Sequence, residues 1–240
     1  MPNGRKMSMG NDRIVIGITD CSKYANYERW FGVEPNVEVV RLSYSDNNLK
    51  DLERCKGIVL SGGEDVHPRF YNKNEYLQYC HEIDERRDDF EWKVLEYTDK
   101  NELPLLGICR GLQMANVFFG GTLIPDIPSF GKFNHSKFPK ADRYHTITVD
   151  PTSELRKIAG VTGGEINSAH HQSAGLVGKG LVTNSISPDG IIEGLERQEK
   201  ESKPYLMLVQ WHPERMIDLL SPLSKNIKTS FLSASAHAHR

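Results

Sequence analysis

The sequence predicts an α/β domain with a mainly parallel central sheet flanked by helices and a smaller antiparallel strand region in its second half. Two observations carry this prediction. Strand-length apolar runs alternate with helix-length amphipathic or polar stretches through the first half. From Thr122 to about Leu208 the pieces become shorter and richer in turns, before the continuous apolar pattern of a central strand returns in LMLVQW.

The first apolar run is IVIGIT, residues 14–19; VEVVRLSY (37–44) and GIVLSGG (57–63) follow, and the charged stretch between these two is expected to be helical. PLLGI (104–108) comes after a segment from Asp84 to Lys100 in which Phe90, Val94, Leu95 and Tyr97 form an apolar helix face. The run GLQMANVFF suits a buried helix ended by Gly120 and Gly121. HTITVD, a short helix around ELRKIAG, GLVTNSISPDG and IIEGLE then read as antiparallel strands around one small helix, with Pro188, Asp189 and Gly190 as a hairpin turn. A final helix is expected from about Pro222 to Ala236, capped by Ser221. No repeat, low-complexity tract or linker interrupts the chain, so residues 13–240 are expected to form one domain behind a loose polar leader, residues 1–12.

Composition narrows the function classes. Of 240 residues, 38% are hydrophobic and 26% charged, which is ordinary for a folded domain, and the net charge of −2 offers no basic field for nucleic acid. No apolar run approaches the about 20 residues that span a bilayer, and the leader lacks the apolar stretch of a secretory signal. The expectation is a cytoplasmic protein with no membrane or nucleic-acid partner. The four cysteines show neither CxxC pairing nor zinc spacing, so they are expected to be reduced, with Cys21, Cys55 and Cys80 in packing or surface roles.

Cys109 stands apart. It directly follows an apolar strand and directly precedes a helix, with Gly107 and Gly111 two residues to either side. This is the cysteine counterpart of a nucleophile elbow: small flanking residues permit a sharp turn that presents the side chain at the top of the sheet, where the positive end of the helix favours a thiolate. A cysteine nucleophile needs a base and a group that orients the base. VQWHPE supplies both, since His212 ends an apolar strand and Glu214 follows two positions on, across a proline. In LSGGEDVHPRFY, consecutive Gly62 and Gly63 let backbone amides approach a substrate oxygen, so one of them with the Arg110 amide can form an oxyanion hole. In INSAHHQSAG, His170 and His171 cannot both face one way on an extended segment, so one can line the site while the other packs; taken alone, the pair reads as structural. Asp84, Arg87, Asp88 and Glu91 fall on one helix face; a solvated ion-pair ladder is the preferred reading, and ordering of the loop after Gly63 is the alternative.

Taken together, SGGEDVHPRFY, the Asp84, Arg87, Asp88 and Glu91 set, LGICRGLQMANVFFGGTL, NSAHHQ, DGIIEGLE and VQWHPE, in this order between about Ile14 and Phe231, resemble the class I glutamine amidotransferase-like hydrolases. Within them the closest pattern is the γ-glutamyl-γ-aminobutyrate hydrolase family of the C26 peptidases. The resemblance implies a flavodoxin-like sheet, a triad of Cys109, His212 and Glu214, and an oxyanion hole from the Gly63 and Arg110 amides. It further implies a substrate pocket bordered by Gly62, Gln113, Ser168 and His170, with Gln113 on the α-amino or α-carboxylate end of the glutamyl group. Pro125, where the family usually carries a polar residue, and YERWFGVEPN, in place of a Gly-containing helix end, depart from the pattern.

The reaction so implied is hydrolysis of a γ-glutamyl amide through a thioester, releasing glutamate and an amine, with a small γ-glutamyl compound as partner, no metal or organic cofactor, and room for a homodimer. Three other readings remain open on the residues. One is a glutaminase subunit feeding ammonia to a separate synthetase. Another is a metal hydrolase using Asp65, His67, His170, His171 and His212, for which the ligand spacing gives no support. The third is a non-catalytic binding relative, which an intact triad weakens.

Overall fold

The structure is a computed structural model that describes residues 13–201 and 203–238; the leader expected at residues 1–12 lies outside the described residues. Its frame is a nine-stranded sheet. The first half of the chain supplies β1 (Ile14–Thr19), β2 (Val37–Leu42), β3 (Gly57–Leu60) and β4 (Leu105–Ile108), together with the helices α1 (Tyr24–Gly32) and α2 (Glu85–Lys100). Helix α3 (Arg110–Phe118) leads to the short strand β5 (Leu123–Ile124). The second half supplies β6 (Arg143–Val149), α4 (Glu154–Ala159), β7 (Gly163–Ser168) and β8 (Ser173–Ala174). It ends with β9 (Leu181–Ile186), β10 (Ile192–Arg197), β11 (Leu206–Val209) and α5 (Pro222–His237).

The sheet order is β2-β1-β3-β4-β11-β10-β9-β6-β7, and β5 and β8 form a separate two-stranded ribbon. Every pairing from β2 to β11 is parallel, and every pairing from β11 to β7 is antiparallel. The mixed sheet thus changes character at β11, which returns from the far end of the chain to pair with β4 in the register Ile108↔Val209.

Burial on both faces explains the continuous apolar runs. Along β4 and β11, Leu105, Leu206 and Leu208 join the core under α2 and α3, whereas Leu106, Ile108, Met207 and Val209 join the core shared with α1 and α5. On the second face Phe31 meets Phe231 edge to face, with centroids 5.9 Å apart.

Two expectations need correction. The segment between β2 and β3 forms only a 3-10 turn, Leu49–Arg54, because one buried side chain, Leu52, anchors it and its charged residues have no helix face to complete. Ser221 occupies the N-cap position of α5 but makes no side-chain cap bond; its backbone carbonyl accepts from Ser224 and Lys225 instead. The hairpin turn at Pro188, Asp189 and Gly190 forms as expected, with Gly190 at φ +81° and its amide donating to the Ser187 carbonyl. Among the described residues no helix is long and apolar enough to cross a membrane.

Candidate active site

The parallel strands all point their carboxyl ends at one edge of the sheet, and the chain leaves them there through Cys21, Gly62, Cys109 and His212 in turn. Crevices at such ends are where open α/β sheets bind ligands.

Cys109 sits between β4 and α3 at φ 53°, ψ −107°, a positive φ that a non-glycine residue adopts only under strain of about 1–3 kcal/mol. Its amide donates to the Val209 carbonyl at 2.8 Å, and its carbonyl accepts from Leu112 and Gln113, so the surrounding bonds hold the strained residue from both sides. The following turn needs Gly111, because a Cβ there would lie 2.3 Å from the Leu60 carbonyl oxygen.

The parallel pairing of β4 with β11 sets His212 beside this elbow. Its Nδ1 lies 2.9 Å from Glu214 Oε1. Asn167, at the end of β7, clamps the backbone of the same residue, its Oδ1 accepting from the His212 amide at 3.0 Å and its Nδ2 donating to the carbonyl at 3.1 Å. Burial pushes the imidazole towards neutrality, but the Glu214 carboxylate and the nearby Cys109 sulfur outweigh it and raise the pKa to about 9. The shift favours the imidazolium form.

Gly62 and Gly63 form the opposite wall. The Gly62 amide donates to the Tyr27 hydroxyl at 2.8 Å, which leaves the Gly63 amide as the one available to a substrate oxygen. Gly63 adopts φ +153°, and a Cβ on it would fall 1.9 Å from Arg87 Nη1. That guanidinium lies directly beneath the loop, donating to the Gly62 carbonyl at 2.9 Å and the Ser61 hydroxyl at 3.0 Å.

Here the expected solvated ladder is corrected. Arg87, Asp88 and Glu91 are buried, because Arg110 turns its guanidinium back from α3 to pair with both Asp88 and Glu91, while Arg87 Nε donates to Glu91 at 2.9 Å. Burial raises the Glu91 pKa, but Arg110 and Arg87 overcome it and hold the carboxyl below its usual range. Asp84 instead caps α2, accepting from the Arg86 and Arg87 amides. The alternative reading, that this face orders the loop after Gly63, describes the contacts.

A cavity of about 220 Å³ opens over Cys109 and His212, with Gly62 and Gly63 in its wall. Three other expected contacts are not among its lining residues. Gln113 donates to the Gln172 carbonyl at 3.0 Å, Ser168 to the His135 carbonyl at 2.6 Å, and the Nδ1 of His170 faces the Gln172 carbonyl at 2.9 Å, so internal bonds hold all three. His171 stacks on His81 with centroids 3.9 Å apart and meets Asp65 and Asp126. Cys21, expected to be a packing or surface residue, lines the cavity, and burial raises its pKa. Lys23, Glu82 and Lys137 line it too, and none has an ion-pair partner among the described residues. Sequence reasoning missed Tyr27 and Lys137, for which no local signal exists, and passed over Asn167 inside a motif it had marked.

The peptidase C26 family matches residues 36–214. A Schizosaccharomyces pombe protein provisionally named a glutamine amidotransferase is 39% identical over 68% of the chain, and the chain spans 63% of that relative's length. A glutamine amidotransferase-like protein of Rickettsia prowazekii is 30% identical over 86% of the chain and 93% of its own length. The γ-glutamyl-γ-aminobutyrate hydrolase PuuD of Escherichia coli is 27% identical over 78% of the chain and 74% of its own. Among solved structures, a Thermoplasma acidophilum protein provisionally named a GMP synthase subunit superposes with a TM-score of 0.66 at 17% identity, covering 93% of this chain and 94% of that one, which shows a shared fold. With a cysteine elbow, an adjacent imidazole and this matched span, the chain belongs to the peptidase C26 family and is a glutamine amidotransferase-like hydrolase.

Proposed function

We propose that the protein is a cysteine hydrolase that cleaves γ-glutamyl amide bonds, with Cys109 as nucleophile, His212 as its proton partner and Glu214 orienting that imidazole. The observation that carries this reading is the strained Cys109 turn beside an imidazole whose other nitrogen lies 2.9 Å from a buried carboxylate.

A protonated His212 stabilises a thiolate on Cys109. The thiolate attacks the γ-carbonyl, and the Gly63 amide with the first amide of α3, that of Arg110, receives the developing oxyanion; each such donor contributes about 3 to 4 kcal/mol in comparable sites. The tetrahedral intermediate collapses as the C–N bond breaks, His212 passing its proton to the departing amine and leaving a thioester. His212, now neutral, takes a proton from water, the hydroxide equivalent attacks the thioester, and glutamate leaves.

The cavity suits the amino-acid end of such a substrate. Lys23 and Lys137 can pair with the α-carboxylate and Glu82 with the α-ammonium, and a volume of about 220 Å³ accommodates a glutamyl head while the amine points outward.

A panel of γ-glutamyl amines and free glutamine, assayed with purified protein and with Cys109→Ala, tests this reading. Turnover of the γ-glutamyl amines, lost in the variant, is the expected result. Preference for free glutamine would favour a glutaminase subunit, and an unchanged rate in the variant would remove Cys109 from the chemistry.

A further inference from the structure

Outside the lining of the Cys109 cavity, four buried or half-buried side chains converge from four different places in the chain. His135 comes from the loop before β6, His145 from β6, His170 from the turn after β7 and Glu193 from β10. One donor atom from each lies within 4.8 Å of all the others. None belongs to the proposed cysteine chemistry.

The hydrogen bonds on the outer side of the rings decide what faces inward. His145 Nδ1 lies 3.1 Å from the Thr146 carbonyl and His170 Nδ1 lies 2.9 Å from the Gln172 carbonyl. A carbonyl only accepts, so each Nδ1 carries the hydrogen and each Nε2 presents a lone pair. His135 is turned the other way, with Nε2 at 3.2 Å from both carboxylate oxygens of Asp189, so in the neutral ring its Nδ1 presents the lone pair. Asp189 is itself held by the Ser187 hydroxyl and the Phe133 amide. All three lone pairs meet the Glu193 carboxylate: His135 Nδ1, His145 Nε2 and His170 Nε2 lie 3.2, 3.3 and 3.8 Å from its Oε1. At these separations none of these ring atoms and neither Glu193 oxygen has the geometry of a well-formed hydrogen bond, although Glu193 is fully buried.

Lone pairs converging on a buried anion repel one another unless a cation sits among them. A proton can bridge one pair and leave the rest opposed. A metal ion satisfies every donor, and the three separations from Glu193, 3.2 to 3.8 Å, bracket the edge of about 3.4 Å for a tetrahedron of nitrogen and oxygen ligands about 2.1 Å from zinc. Outer partners that fix the tautomer of each histidine, a carboxylate or a carbonyl in every case, are what ligating histidines carry.

We propose that His135, His145, His170 and Glu193 bind one divalent transition-metal ion of the zinc class in a closed four-ligand site. Four protein ligands leave no open position, so the ion is structural. It fastens the loop that carries Lys137 to β6 and β10, and it fixes the turn that carries Ala169; both residues line the cavity over Cys109. A second cavity, about 320 Å³ and lined by His135 and His145, gives the ion a path from solvent.

The test uses the full chain, stripped of metal and titrated with Zn²⁺ by calorimetry and with Co²⁺ by visible absorption. The expected results are one ion per chain, the intense visible bands of four-coordinate cobalt, and a Tm increase of about 5 to 10 °C at a hundredfold excess of Zn²⁺ over its Kd. His145→Ala, at the most exposed ligand, and Glu193→Gln should each weaken Zn²⁺ binding at least about a hundredfold, and Asp189→Asn about tenfold. Absence of stoichiometric uptake by the parent, cobalt bands of an octahedral ion, or parent-like affinity in either ligand variant would overturn the proposal. Should a variant fail to fold, the parent's stoichiometry and cobalt spectrum decide alone.

Discussion

Two buried polar centres flank the Cys109 cavity, and they are built in opposite ways. Beneath the Gly63 loop, Arg87 and Arg110 face Asp88 and Glu91, cations matched with anions, and within that set only Arg110 Nε lacks a hydrogen-bond partner. On the far side, His135, His145, His170 and Glu193 leave five inward atoms without one. Apart from half-buried His145, the members of both are buried; charge balance is what separates them. The first centre is complete as it stands and forms a rigid footing for the loop of Gly62 and Gly63. The second has its outer bonds made and its inner ones open, the state of a site arranged around something else.

The contrast breaks most visibly at Arg110. Arg110→Met would leave Asp88 and Glu91 buried with half their compensation, costing about 3–5 kcal/mol of stability in urea denaturation. A loss under about 1 kcal/mol would mean that the arginines do not hold that centre together.

Asn167→Ala should cost about 1–3 kcal/mol, since it orphans the His212 amide and carbonyl at once, and activity should fall in assays where the variant remains folded. The His212–Glu214 pair is sharpened by pH. His212 has a pKa raised above its unfolded 6.5, so its contribution to stability is fully present below that value and is lost as pH rises through about 9. Glu214→Gln removes one raising cause; the gap in urea midpoint between parent and variant should therefore shrink between pH 6.5 and 9, and a constant gap would deny the coupling. Tyr27→Phe has the smallest expected effect, about 1 kcal/mol, because it removes only the acceptor for the Gly62 amide. A mobile Gly62 amide in hydrogen exchange would mark that loss.

What the sequence shows follows the same divide. The Cys109 elbow is legible because Gly107, Cys109 and Gly111 fall within five consecutive residues and a sharp strand-to-helix turn has local chemical requirements. The central position of β11, and the change from parallel to antiparallel pairing, are legible in run length and turn content. The fate of Arg87 and Glu91 is not, since charges at helical spacing look alike whether water or Arg110 faces them, and Arg110 arrives from another helix. The four inward ligands are invisible for the same reason. The weighed set of Asp65, His67, His170, His171 and His212 shares only His170 with them, because ligands drawn from two loops and two strands obey no spacing rule.

The position of β11 has a consequence for how the molecule comes into being. It is the central member of the sheet, yet it lies beyond both the parallel strands it joins and the antiparallel strands it borders. A ribosome that has made the elbow has not yet made the imidazole, and the two halves of the sheet stay unjoined until residues 206–212 emerge. Cys109 and His212 are thereby brought together only at the step that closes the sheet, so a stalled or truncated product carries the elbow without the imidazole beside it.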